Sequence, residues 1–313
     1  MKPGSISVII PFYNEGLAVV SLFERLIPVL EALTSYWEVI CIDDGSRDDT
    51  LAVLQFVREH YDAVRIIKLS RNFGKEAALS AGLSRATGDH VLIMDGDLQH
   101  PPETLTEMLR VQECGVDMVY GLRRSRHTEG PLRSRCSSFF YRLFSMTSDV
   151  RLPKDASDFR LMTRRVVDAL NGLPEQTRFM KGLYAWVGYS QQAVLYEVEP
   201  RSNGTSKWSL LRLFGYAWHG IVSFSVMPLR LWSFIGTGIA ALALIYAIWI
   251  GAATLAFGRD VPGYATLAVA IFFLGGLQLL SIGVLGEYIA RIFAETKRRP
   301  LFIIEEADGF DSD

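Results

Sequence analysis

The stretch VLIMDGDLQH, residues 91–100, runs four apolar residues straight into Asp95-Gly96-Asp97. Such a run reads as a buried strand with carboxylates at its exit. Similar apolar runs occur at 6–10, 38–42, 64–69, 90–94 and 117–120, and stretches of helical periodicity such as 18–33 and 76–85 separate them. Alternation of this kind predicts an α/β fold, a mostly parallel Rossmann-like sheet with helices on both faces. Ligands of such sheets sit beyond the carboxyl ends of the strands. Three of those ends carry unusual chemistry: Pro11-Phe12-Tyr13-Asn14-Glu15, Asp43-Asp44-Gly45-Ser46 and Asp95-Gly96-Asp97.

Residues two apart on an extended chain point the same way, so Asp95 and Asp97 can converge, while Gly96 lets another group approach. Two neighbouring carboxylates repel unless a cation lies between them. A hard divalent ion, Mg²⁺ or Mn²⁺, kept partly hydrated and completed by substrate phosphates, suits them, and Gln99 can add a carbonyl oxygen. A solvated turn is the alternative for an isolated Asp-x-Asp; the two other acidic or polar tips favour a site. Asp43 or Asp44 can accept hydrogen bonds from a base or a ribose. The segment 44–48 also reads as a turn and helix cap, the better reading for Asp48. Neither a P-loop nor a Gly-x-Gly-x-x-Gly loop is present, which leaves the phosphate contacts to the metal.

The last third is different. Residues 231–258 and 261–286 hold no Asp, Glu, Lys or Arg, which accounts for a mean hydropathy of +0.20. Each exceeds the roughly 20 residues that cross a bilayer, so both are predicted as transmembrane helices joined by a short turn. Arg201, Lys207, Arg212 and Arg230 precede the first and Arg291, Lys297, Arg298 and Arg299 follow the second, against Arg259 between them. By the positive-inside rule both flanks, with the catalytic domain and both termini, face the cytoplasm. No signal-peptide core follows Met1, and Cys41, Cys114 and Cys136 lack ligand or redox spacing, as suits a reduced compartment. A net charge of −2 gives no support for nucleic-acid binding. The expected organisation is a catalytic domain over 1–200, a juxtamembrane interfacial region over 201–229, two membrane helices over 230–290 and a cytoplasmic tail over 291–313.

Basic residues crowd the segment after the fifth strand: Arg123, Arg124, Arg126, Arg133 and Arg135. Guanidinium groups suit phosphate, and the same charges suit a face against anionic lipid. Residues 208–227 and 133–144 mix aromatic, apolar and basic side chains as interfacial helices do, although packing against the sheet explains them too.

The motifs VIIPFYNE, IDDGSRDDT, LSRNFGKEAAL, DGDLQHPPE, YGLRRSR, SDFRLM and RSNGTSKWS, followed by the two apolar helices, make the chain resemble the family 2 glycosyltransferases of the GT-A fold. Within these it is similar to the polyprenyl-phosphate group that includes bactoprenol glucosyltransferases and dolichyl-phosphate mannosyltransferases. That group usually reads Asp-Ala-Asp-Leu-Gln-Asp; here Gly96 and His100 depart from it, and His100 is expected as a surface loop residue rather than an added ligand. The resemblance implies inverting transfer of one sugar, glucose from UDP-glucose by first choice, to a bacterial polyprenyl phosphate at the inner membrane. It implies Asp95, Asp97 and Gln99 as metal ligands; Pro11, Tyr13, Glu15, Asp43, Asp44, Lys75 and Asp95 at the nucleotide sugar; and Arg123, Arg133, Arg201 and Lys207 at the acceptor phosphate or diphosphate. Asp97 and Asp158 are the implied catalytic residues, Asp158 as a base or, preferably, as a positioning group. Mannosyl and aminoarabinosyl transfer remain open as alternatives, as do a processive synthase and an inactive scaffold. A homo-oligomer is expected from paired two-helix hairpins.

Overall fold

The computed structural model describes residues 4–124, 156–176, 178–197, 227–257 and 263–310. Strands β1 (Ile6–Phe12), β2 (Trp37–Asp43), β3 (Val64–Leu69) and β4 (His90–Ile93) alternate with helices α1 (Gly16–Leu33), α2 (Thr50–His60) and α3 (Lys75–Arg85), as their periodicity predicts. They are followed by α4 (Thr104–Glu113), β5 (Met118–Arg123), β6 (Ala156–Thr163), α5 (Arg164–Asn171), α6 (Met180–Trp186) and β7 (Gln191–Tyr196). Two long helices, α7 (Met227–Phe257) and α8 (Tyr264–Lys297), precede a last strand, β8 (Ile304–Asp308).

Among the described residues, the eight strands form one sheet in the order β7-β5-β6-β4-β1-β2-β3-β8. The centre, β4-β1-β2-β3, is parallel, because each crossover carries a helix. β6 runs antiparallel between β4 and β5. The period of two in β1 sends Ile6, Val8, Ile10 and Phe12 to one face against α1 and α2, and Ile9 to the other against α3. Two fully buried apolar layers result, and they hold the strand tips in place.

α7 and α8 are long and apolar enough to cross a membrane, over 229–250 and 269–297. Their side chains, among them Leu242, Ile245, Leu255 and Leu279, are exposed, which is a stable arrangement only against lipid or other apolar partners. α7 begins at Met227, inside the expected juxtamembrane region; the rest of that region, 201–226, and the stretch 133–144 lie outside the described residues.

The expected tail over 291–313 is in large part not a tail. α8 reaches Lys297, and its Glu295 carboxylate accepts the backbone N–H of Gln176 at 3.0 Å. The chain then turns at Arg298, whose φ is 47°, and adds β8 antiparallel to the β3 edge. Lys68 pairs with Glu305 at 3.0 Å, and Phe310 lies under the guanidinium groups of Arg65 and Arg85 at 5.3 and 5.8 Å. The helical hairpin is therefore tied to the α/β domain at both Glu295 and β8.

Candidate active site

Because β4, β1 and β2 are adjacent and parallel, their carboxyl ends open at one edge of the sheet. Asp43 pairs in register with Phe12, and the Asp44 N–H donates to the Phe12 carbonyl at 2.9 Å. The first two tips are clipped together. Asn14, held at φ 54°, donates its N–H to Ser46 Oγ at 3.0 Å, and its Oδ1 accepts the Arg47 N–H at 2.8 Å. Asp48 Oδ1 accepts the Thr50 N–H at 3.1 Å from one residue ahead of Asp49, which holds the N-cap position of α2 expected of Asp48.

Asp43 and Asp44 are both buried, but they do different things. Asp43 Oδ1 accepts the Ser46 N–H at 3.2 Å and closes its own turn. Asp44 reaches further: Oδ1 accepts the Phe73 N–H at 2.7 Å and Oδ2 the Gly74 N–H at 2.9 Å. Burial pushes the Asp44 carboxyl up against the pull of those two bonds. Gly45 makes the approach possible, since a Cβ there would lie 2.6 Å from the Arg71 backbone at a φ of 67°. Asp44 thus sets the loop that begins α3, and with it Lys75.

Lys75 is the centre of the charged cluster. Its Nζ lies 2.5 Å from Asp95 Oδ1 and 2.9 Å from Asp158 Oδ2. Asp158 arrives by register: Ile93, the last residue of β4, pairs with Arg160 on antiparallel β6, which brings Asp158 on β6 to the turn that carries Asp95. Lys181, on α6, stands 4.0 Å from Asp158 Oδ1. Burial pushes the Asp158 carboxyl up, but the Lys75 and Lys181 ammonium groups outweigh it and hold it well below the usual carboxylate range. Asp95 is lowered for the same reason, burial being outweighed chiefly by Lys75. Burial alone would lower the Lys75 ammonium; Asp158 and Asp95 together raise it well above its ordinary value. Arg160, 1% exposed and two places along β6, stacks its guanidinium 4.5 Å from the Tyr184 ring and adds positive charge beneath Asp158.

At the β4 tip, Asp97 Oδ1 accepts the Gln99 N–H at 3.1 Å, and Leu98 adopts a φ of 61° to close the turn. Gly96 is required by crowding, since a Cβ there would meet the Phe12 ring at 2.6 Å and Glu15 Oε2 at 2.8 Å. Glu15 therefore borders the Asp95-Gly96-Asp97 turn. Among the described residues no cluster of three or more His, Cys, Asp or Glu side chains is arranged to hold a metal. The carboxylates of Asp95 and Asp97 are the oxygen ligands that suit a hard ion drawing its remaining oxygens from phosphate and water, the habit of Mg²⁺ and Mn²⁺.

His100 is not the surface loop residue expected. It is 2% exposed, stacks on Phe159 at 4.9 Å and 6°, and accepts the Asp95 N–H on Nδ1 at 3.2 Å. Burial pushes its pKa down, leaving the imidazole neutral and able to accept. Pro11 is half-buried and Tyr13 is 39% exposed at the β1 tip. Arg123 ends β5, exposed to solvent. Arg133, Arg201 and Lys207 lie outside the described residues. Lys181 and Tyr184 lie outside the motifs that mark the site, because their place beside Asp158 and Arg160 depends on how α6 packs against β6.

Residues 7–170 match the family described as Glycosyl transferase family 2, and residues 227–292 match the GtrB C-terminal hairpin. An uncharacterized glycosyltransferase of Synechocystis sp. is 46% identical, covering 98% of this chain and 96% of its own. The prophage bactoprenol glucosyl transferase homolog of Escherichia coli (strain K12) is 41% identical over 96% of this chain and 98% of its own. The bactoprenol glucosyl transferase of Shigella phage SfX is 40% identical with the same coverage. Among solved structures, Mycobacterium tuberculosis glucosyl-3-phosphoglycerate synthase is similar at 22% identity and a TM-score of 0.46, over 70% of this chain and 78% of that one.

Proposed function

We propose, from the premise that this chain belongs to glycosyl transferase family 2 and carries its GtrB C-terminal hairpin, that it transfers a single sugar from a nucleotide sugar to a membrane polyprenyl phosphate. Glucose from UDP-glucose is the first choice, since relatives named bactoprenol glucosyl transferase align over almost the whole chain. The observation that carries the reading is the tie between an apolar hairpin and the α/β domain that bears the acidic strand tips, made by Glu295 on Gln176 and by β8 on β3. A phosphorylated isoprenoid lies where such a hairpin would be embedded, at the boundary of water and hydrocarbon. Positive charge at Arg230, Arg291, Lys297, Arg298 and Arg299 supports a cytoplasmic catalytic domain at the inner membrane of a bacterium. The exposed apolar sides of α7 and α8 support a homo-oligomer.

In this reading Pro11, Tyr13, Glu15 and Asp43 receive the nucleoside, and Asp44 acts through the loop that presents Lys75. Asp95, Asp97 and Gln99 would hold Mg²⁺ or Mn²⁺, and a bound divalent ion supplies Lewis-acid neutralisation of the leaving diphosphate. The acceptor oxygen forms its bond to the anomeric carbon as the bond to the diphosphate breaks on the opposite face, giving inversion. A phosphate monoester has a second pKa of about 6, so its oxygen is already anionic and needs no strong base. Asp158, held ionised by two lysines, has little affinity for a proton. It is read as a positioning group for Lys75, Lys181 and the sugar. Arg123, with Arg133, Arg201 and Lys207, would take the acceptor phosphate.

The test is incubation of the purified full-length chain with labelled UDP-glucose, Mg²⁺ and a polyprenyl phosphate. One glucose on lipid is the expected product. GDP-mannose or an aminoarabinose donor used in its place would change the sugar, a polymer would make the chain a synthase, and no transfer would make it a scaffold.

A further inference from the structure

One ammonium serves two carboxylates from different strands, Asp95 on the β4 tip and Asp158 on β6, at 2.5 and 2.9 Å. The lysine is not placed there by chance of a flexible loop. Its helix starts at a backbone pinned from below, where Asp44 takes the N–H groups of Phe73 and Gly74 and the Asn72 amide donates to the Asp44 carbonyl at 3.1 Å. The side chain is nevertheless 39% exposed, and a four-carbon stem lets the charged head move without moving the helix. One of its two partners, Asp95, is also the carboxylate assigned to the divalent ion. Two cations cannot share a carboxylate without repelling each other, and in a half-buried site that repulsion is poorly screened.

We propose that Lys75 is an exchangeable counter-cation: without nucleotide its ammonium holds Asp95 against a divalent ion, and with nucleotide it passes to the diphosphate and releases Asp95. The diphosphate offers the lysine anionic oxygens in place of the carboxylate it gives up, so no charge is left unpaired at any stage. Asp158, with Lys181 alongside, remains as the pivot from which the ammonium turns. Metal and nucleotide then bind as a pair, and Lys75 carries part of the coupling between them. The inference rests on the reading of Asp95 as a metal ligand and of a nucleotide sugar as donor.

The experiment is a Mn²⁺ titration of the full-length chain in detergent, followed by the electron paramagnetic resonance of free Mn²⁺, with and without UDP. Wild type, Lys75→Met, Lys75→Gln and Lys181→Met are compared, the glutamine variant guarding against a folding defect of the methionine one. Without UDP, Lys75→Met and Lys75→Gln should bind Mn²⁺ about tenfold more tightly than wild type, since a competing charge is gone. With UDP that advantage should vanish or reverse. Lys181→Met, whose ammonium is 4.0 Å from Asp158, should change the UDP-free affinity less than about threefold. Equal affinity of wild type and both Lys75 variants without UDP overturns the inference. So does an equal gain in Lys181→Met, which would make it a general field effect, and so does a gain that persists with UDP. Failure of wild type to bind Mn²⁺ even with UDP overturns the metal reading together with this one, whereas UDP-dependent Mn²⁺ binding that Lys75 does not influence overturns this one alone.

Discussion

The backbone N–H of Asp95 donates to Nδ1 of His100 across 3.2 Å, so a buried imidazole sets the exit of the fourth strand. The ring is clamped between Phe159, stacked at 4.9 Å, and Tyr196, edge-on at 5.6 Å. Through Phe159 it also touches the strand that carries Asp158. His100→Phe would keep the stack and lose the acceptor, leaving the Asp95 N–H without its partner at a cost of about 1–3 kcal/mol. The expected result is a lower unfolding temperature and a severalfold higher KM for the nucleotide sugar, with a smaller change in kcat. His100→Asn, which retains an acceptor but not the stack, should recover KM better than stability. Thermal unfolding and steady-state kinetics on the same preparations check both.

Gly96 packs against Phe12, which is 1% exposed and belongs to the core. A methyl group at 96 would lie 2.6 Å from the Phe12 ring and 2.8 Å from Glu15 Oε2. Gly96→Ala should therefore cost about 1–3 kcal/mol by overpacking and should displace Glu15 from the turn. Adding Phe12→Leu, which frees space on the same side, should return part of the lost stability. A double-mutant cycle by chemical denaturation measures that coupling, and strict additivity of the two changes would contradict the packing argument.

Sequence periodicity exposes the first five strands and the two apolar helices because each signal is local. The 6–10 run grows only to Ile6–Phe12, and 64–69 is reproduced as Val64–Leu69. β6 gives no such signal: Ser157, Phe159, Arg160, Leu161 and Met162 are all buried, so polar and apolar residues do not alternate. β8 is harder still, since Ile304-Glu305-Glu306-Ala307-Asp308 is acidic and mostly exposed, and only the β3 edge makes it a strand. At the site, the carboxylates were legible as types at strand exits. The burial of His100, the approach of Lys181 and the hold of Asp44 on the Phe73 and Gly74 amides depend on residues far away in the chain. No local pattern encodes those distances.

β8 covers the edge of β3, where unpaired N–H and C=O groups would otherwise invite association. Truncation after Leu301 removes the strand, the Lys68–Glu305 pair and the Phe310 contact with Arg65 and Arg85 while leaving Glu295 in place. The loss should be roughly 2–5 kcal/mol from several ladder bonds and the half-buried Phe310 ring, with increased aggregation. Size-exclusion chromatography and thermal unfolding of the truncated chain in detergent would show it. Glu305→Lys alone should act in the same direction but weakly, because that pair is solvent-exposed.

Asp158 sits where a general base would be sought, yet Lys75 at 2.9 Å and Lys181 at 4.0 Å both stabilise its ionised form. Because its folded pKa is depressed well below the ordinary carboxylate range, it stays charged throughout the range from weakly acidic to alkaline pH. No change in its protonation can then shape the rate profile above pH ~5. The acid limb should instead follow the acceptor phosphate, with the rate falling as pH drops through about 6 and the nucleophile gains a proton. Asp158→Asn removes the charge but keeps a polar group facing Lys75, so kcat should fall about tenfold or less rather than by the 10²–10⁴ that loss of a general base costs. Its acid limb should stay at the wild-type position. Asp158→Ala, which also removes the hydrogen-bond acceptor for Lys75, should lose more activity with the same limb. A limb that vanished in Asp158→Asn, with a loss of 10³ in kcat, would restore the carboxylate as the base.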